Sequence, residues 1–71
     1  MKRFGQKLHR LRTERGLSVR QLAAALGIKS SSYISKLEKG QKNPSTPLLL
    51  KISHFFKVST DQLLNDDMEL D

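Results

Sequence analysis

Nineteen residues, Leu22 to Gly40 (LAAALGIKSSSYISKLEKG), place serine hydroxyls and lysine ammonium groups on two short amphipathic patterns. Leu22, Ala23 and Leu26 share one helical face, Ile34 and Leu37 another, and Gly27 lies between them. The outward groups of Ser30 to Lys39 can donate to and accept from polar edges and can neutralise anions. Two short helices joined by a tight turn are the pattern of a helix-turn-helix, a unit that lays its second helix in the DNA major groove.

Other chemistries lack their residues. There is no cysteine, hence no disulfide, thiolate metal site or thiol nucleophile. His9 and His54 are far apart and have no ligand-spaced Asp or Glu, so they are expected at the surface and no metal is expected. No glycine-rich phosphate loop or serine-histidine-carboxylate set is present, and a chain of 71 residues has little room for a substrate pocket. Neither catalysis nor a cofactor is expected. No apolar run approaches the length of a membrane span, and no secretory signal is recognisable, so the expected location is the cytoplasm.

Charge is segregated along the chain. Residues 1–57 carry all 13 lysines and arginines against two carboxylates, Glu14 and Glu38, a balance of +11. Residues 58–71 carry Asp61, Asp66, Asp67, Glu69 and Asp71 and no base, a balance of −5. A basic body suggests a polyanionic partner. Aromatic residues interleaved with cations could instead stack on single-stranded bases, but Phe4 and Phe56 fall on core stripes. Tyr33 and Phe55 are the two whose rings could remain partly exposed.

Five helices are predicted to position these groups. Phe4, Leu8 and Leu11 form the stripe of a first helix ending before Gly16. Ser18 with Gln21 is a capping box for a second helix running to about Leu26. Ser30 is the N-cap of a third that ends at Gly40, and Ser45 caps a fourth, with Pro47 in its first turn and a stripe of Leu49, Ile52, Ser53 and Phe56. The Ser53 hydroxyl could bond back to a carbonyl of its own helix. Ser59 caps a short fifth helix containing Leu63 and Leu64. The fold class is an all-α five-helix bundle over residues 1–64, with 65–71 as a short acidic tail expected to fray. Stability should be modest at this size, about 3 to 5 kcal/mol.

With the helices placed, the chain resembles the Cro/phage-repressor (Xre-type, lambda-repressor-like) helix-turn-helix family over roughly residues 4–64. The matching residues are Leu11-Arg12, Arg15-Gly16-Leu17-Ser18, Gln21-Leu22-Ala23, Leu26-Gly27-Ile28, Tyr33 to Glu38 and Gly40, then Pro44-Ser45, Leu49, Ile52 and Val58-Ser59 through Asp61 to Leu64. One departure affects the site. Between Gly27 and Ile34 stand six residues, Ile28 to Tyr33, where the family pattern usually has five. Counting back from the core position Ile34 is the safer register, because a loop absorbs an insertion and a helix does not.

The resemblance implies a domain that binds double-stranded operator DNA, usually as a homodimer, in a transcriptional regulator expected to be a repressor. On the backward count Ser31, Ser32 and Lys36 match base-reading positions, with Ser35 beside them. Ser18, Val19, Ser30, Lys39, Lys42, Asn43 and Ser45 match phosphate-contacting positions. Arg12 and Glu38 resemble a family ion pair tying the first helix to the end of the third. Phe55, Leu63 and Leu64 are the candidates for a dimer seam. The competing expectation is an antitoxin or anti-regulator in which the acidic segment from Asp61 to Asp71 engages a basic protein.

Overall fold

In the computed structural model, residues 2–70 are described; Met1 and Asp71 lie outside them. The chain runs through α1 (Phe4–Glu14), α2 (Val19–Ala25), α3 (Ser31–Glu38), α4 (Thr46–Phe56) and α5 (Thr60–Leu64), with no strand among the described residues. The start signals act locally. Ser18 accepts from the Gln21 amide at 3.0 Å while the Gln21 side chain accepts from the Ser18 amide at 2.8 Å, and Ser59 with Gln62 repeats the box at α5. Ser45 accepts from the Leu48 amide at 3.3 Å, and Pro47 occupies the first turn of α4.

The apolar stripes converge on one core of Phe4, Leu8, Leu22, Ala23, Leu26, Ile34, Leu37, Leu48, Ile52, Phe56 and Leu63. In α4 the buried leucine is Leu48, and Leu49 packs at the margin. Ser53 is buried as its stripe required, but its hydroxyl donates forward to the carbonyl of Val58 rather than back into α4. Val58 returns its amide to the Ser53 carbonyl at 3.1 Å, locking the α4–α5 corner around Lys57, whose φ of 57° is left-handed.

Leu63 and the acidic tail also depart from their expected places. Leu63 is 0% exposed, a core residue with no surface to give a dimer seam. The acidic tail is not frayed: residues 65–70 fold back onto the start of α1. The Asp66 carboxylate accepts from the Lys2 and Arg3 amides, each at 2.9 Å, and so caps a helix that has no capping side chain of its own. Those amide bonds hold its carboxyl below the ordinary range. Arg3 grips Glu69 through two parallel bonds of 2.9 and 3.0 Å and donates to the Asp66 carbonyl at 2.8 Å. Lys7, 3% exposed, directs its ammonium at the carbonyls of Gln62, Asn65 and Met68, at 2.6, 2.7 and 2.7 Å. All three ammonium protons are thereby used, and carbonyls left open at the end of α5 are satisfied.

Gly5 sets the distance between α1 and α3. A Cβ at this buried position would lie 2.6 Å from the Leu37 carbonyl oxygen and 2.5 Å from that of Glu38, so the end of α3 rests on bare α1 backbone. Alanine gains roughly 1 kcal/mol of helix propensity over glycine, but those carbonyls cannot yield without moving α3. Gly5→Ala is expected to reduce stability by about 1 to 3 kcal/mol in urea unfolding. A variant as stable as the parent contradicts the close approach.

Candidate nucleic-acid interface

The second and third helices meet through a corner fixed by backbone bonds. At the end of α2, Gly27 takes φ 74°, a conformation open to glycine, and the Ile28 amide donates to the Ala23 carbonyl at 2.8 Å. Ile28 and Lys29 form the turn, Ser30 is extended, and α3 starts at Ser31. Three of the six residues between Gly27 and Ile34 therefore precede the helix, and Ile34 and Leu37 are fully buried. This register leaves Ser32 and Lys36 exposed and Ser31 and Ser35 half-buried along α3. Ser30 occupies the N-cap position, but its hydroxyl makes no cap bond; it pairs with the Ser32 hydroxyl at 2.8 Å.

The flanking candidates divide by what their side chains already do. The hydroxyls of Ser18 and Ser45 are committed to capping, Val19 packs at the margin of the core, and Lys39, Lys42 and Asn43 are exposed. Tyr33 is half-buried, and its hydroxyl donates to the Asn43 carbonyl across 3.4 Å, bracing the loop that carries Lys42. Phe55 packs edge-to-face on Phe56 with ring centroids 4.9 Å apart, and the Arg15 guanidinium lies 5.6 Å and 5.3 Å from the two ring centroids. Phe55 and Leu64 are therefore half-buried against their own core.

Arg12 and Glu38 meet as a nearly enclosed pair, their side chains 13% and 9% exposed. Arg12 donates through Nε to Glu38 Oε2 at 2.6 Å, through Nη2 to Oε1 at 3.1 Å and through Nη1 to the Leu17 carbonyl at 2.8 Å. His9, expected at the surface, is exposed as a residue, yet its Nδ1 lies 2.9 Å from Glu38 Oε1 and joins the pair. Burial opposes the Glu38 charge, but the hydrogen bonds from Arg12 and His9 and their charges hold its carboxyl below the usual range. The pair fixes α3 from its buried end and leaves its outer face unobstructed.

Apart from the exposed Lys2, Lys51 and Lys57, the cations fall into two sets. Arg3, Arg10, Arg12 and Lys7 are engaged by carboxylates or carbonyls, and Arg15 by aromatic rings. Between Ser18 and Ser45 stand Arg20, Lys29, Lys36, Lys39 and Lys42, and the only carboxylate in that span, Glu38, is held by Arg12. None of these five exposed cations has an acidic partner among the described residues. No group of three His, Cys, Asp or Glu among those residues could hold a metal ion, and no helix there is long and apolar enough to cross a membrane.

Five helices, a glycine turn and an outward cationic face define a helix-turn-helix domain. A helix-turn-helix family model matches residues 8–63, and the chain belongs to that family, of Cro and phage-repressor type. The HTH-type transcriptional regulator SinR of Bacillus licheniformis is 39% identical over 67 residues, 93% of this chain and 60% of SinR. The HTH-type transcriptional activator BcrR of Enterococcus faecalis is 42% identical over 64 residues, 90% of this chain and 31% of BcrR. The chain thus spans less than two thirds of the length of these relatives, which are named as regulators of transcription and not as enzymes. The crystal structure of SinR, master regulator for biofilm formation, in complex with DNA matches with a TM-score of 0.77 at 36% identity, over 87% of this chain and 98% of that one.

Because the ion pair is enclosed, Arg12→Ala leaves the Glu38 carboxylate with the exposed His9 as its one side-chain partner and is expected to cost about 3 to 5 kcal/mol of stability. The depressed Glu38 pKa also sets a direction with pH. Its contribution is fully present above the unfolded value of about 4.3 and is lost as pH falls through the lower folded value. Unfolding measured against pH should show an acid limb that is shallower in Glu38→Gln. An identical limb in that variant removes Glu38 from the account.

Proposed function

We propose that this chain is a sequence-specific, double-stranded-DNA-binding regulator of transcription that lays α3 in the major groove of an operator. The observation carrying this reading is the set of five unpartnered cations on α2, the turn, α3 and the following loop, around a helix whose inner face is anchored in the core. Ser31, Ser32, Ser35 and Lys36 face the base edges. Lysine can donate to guanine O6 and N7, whereas a serine hydroxyl discriminates weakly, so Lys36 carries the largest share of specificity. Lys39, Lys42 and Asn43, with the backbone at the starts of α2, α3 and α4, meet phosphates. The likeness to SinR, solved in complex with DNA, supports the same mode of contact.

Two copies act on a pseudo-palindrome with half-site centres about 34 Å apart, on one face of the duplex. Phe55 and Leu64 remain available for the seam between them. Occupying the operator in the cytoplasm represses the promoter beneath it. The antitoxin or anti-regulator reading through the acidic tail is not favoured, because Asp66 and Glu69 already bind α1 and Arg3.

Selection of bound duplexes from a random pool should yield a two-fold-related motif, and a pool with no enriched sequence overturns the proposal. Ultracentrifugation on the selected duplex should find two copies; a lone monomer there removes the dimeric mode. Lys36→Ala should relax preference at one position in each half-site, costing about 1 to 3 kcal/mol. Lys42→Ala should weaken all duplexes alike and reduce the slope of log K against log salt by about 0.9. Unaltered preference or an unaltered slope takes the corresponding residue out of the interface.

A further inference from the structure

Arg20, Ala23, Ala24, Ile28, Lys29 and Ser31 line a notch of about 240 Å³ at the corner between α2 and α3. Its two cations come from different elements, Arg20 from the first turn of α2 and Lys29 from the turn between α2 and α3. Both are exposed, and neither meets a carboxylate among the described residues. Two like charges flanking one small notch repel each other when it is empty, and a single anion between them relieves that repulsion. The walls suit a close approach, since Ala23 and Ala24 add only methyl groups, and the half-buried Ser31 borders the notch from the start of α3.

Resting on the DNA-binding function proposed above, we infer that Arg20 and Lys29 together grip one backbone phosphate, and that this grip sets the register in which the start of α3 meets its bases. Arg20 offers parallel N–H donors to two phosphate oxygens, and Lys29 supplies a point charge from the other side. Ser31 borders the same notch and stands at the head of α3, so the held phosphate neighbours the first base pair that α3 reads. Lys29 thus brings a second cation to the corner from the turn itself.

The test compares the parent, Arg20→Ala, Lys29→Ala and the double variant on the duplex obtained by selection, with Lys2→Ala as a control for an exposed cation outside α2, the turn and α3. Each single variant should lose several-fold in affinity, and the double about tenfold, less than the product of the two because they share one phosphate. The double variant's salt slope should be lower by about 0.9, one phosphate's worth. A scan of single methylphosphonate substitutions should find one position per half-site that weakens the parent and leaves the double variant unaffected. Both side chains are exposed, so thermal melting should be unchanged in all variants. A double variant with the parent's slope and methylphosphonate profile, or one no weaker than Lys2→Ala, overturns the shared grip while leaving the DNA-binding reading intact. A parent that binds neither the selected duplex nor bulk duplex DNA overturns both.

Discussion

The structure depends on how α1 holds α3. Ile34 and Leu37 anchor α3 in the core, but apolar contact is non-directional and leaves a short helix free to rotate and slide. Two directional contacts remove that freedom. Gly5 lets the last carbonyls of α3 settle against α1 backbone, and the bonds from Arg12 to Glu38, aided by His9, fix its azimuth. Sub-ångström placement matters for a helix that must bring side chains into hydrogen-bond reach of an external partner. All of this control is applied at the buried end, which leaves the outer face with serines and an unpaired lysine.

A second set of contacts holds α1 itself. Its N-terminus receives Asp66 from the far end of the chain, and Lys7 projects from its side into the carbonyls that close α5. These contacts join the last described residues to the first helix, so the docked tail, α5, α1 and α3 form a continuous series of supports. A 71-residue chain with eleven core hydrophobics has little apolar surface to spare. Backbone groups satisfied by a buried ammonium and by a capping carboxylate supply order that a larger protein would obtain from additional core.

The features legible in the sequence were those with a local cause. The Ser18–Gln21 box, the spacing of Ile34 and Leu37, and the glycine at position 27 each follow from residues a few places apart, and each is present in the structure. What escaped had its partner elsewhere in the chain. Gly5 carries a local penalty inside a helix, and its purpose is apparent only once α3 lies across it. Lys7 sits among other basic residues of α1 and looks solvated until three carbonyls close around it. The tail has no apolar period to announce that it docks, since it is held by charges and capped amides. Leu63 and Leu64 could not be told apart because a five-residue helix offers too few positions for its stripe to select a face. At the candidate interface, the buried position of Ile34 was recoverable from its spacing, whereas the notch lined by both Arg20 and Lys29 required the path of the turn.

The division of the cations gives the molecule a permanent electric asymmetry. The carboxylates and the bases that neutralise them lie along α1, the docked tail and the end of α3, and the exposed cations from Arg20 to Lys57 have no acidic partner among the described residues. In the field of a polyanion such a body experiences a torque as well as an attraction. It turns before it touches, so encounters begin with the cationic side leading, and the unproductive orientations that slow a uniformly charged sphere are under-represented. Added salt shortens the range of that torque to the screening length, about 8 Å at physiological strength. Orientation at a distance is thus a kinetic property of where the acids were placed, separate from the contacts formed on arrival.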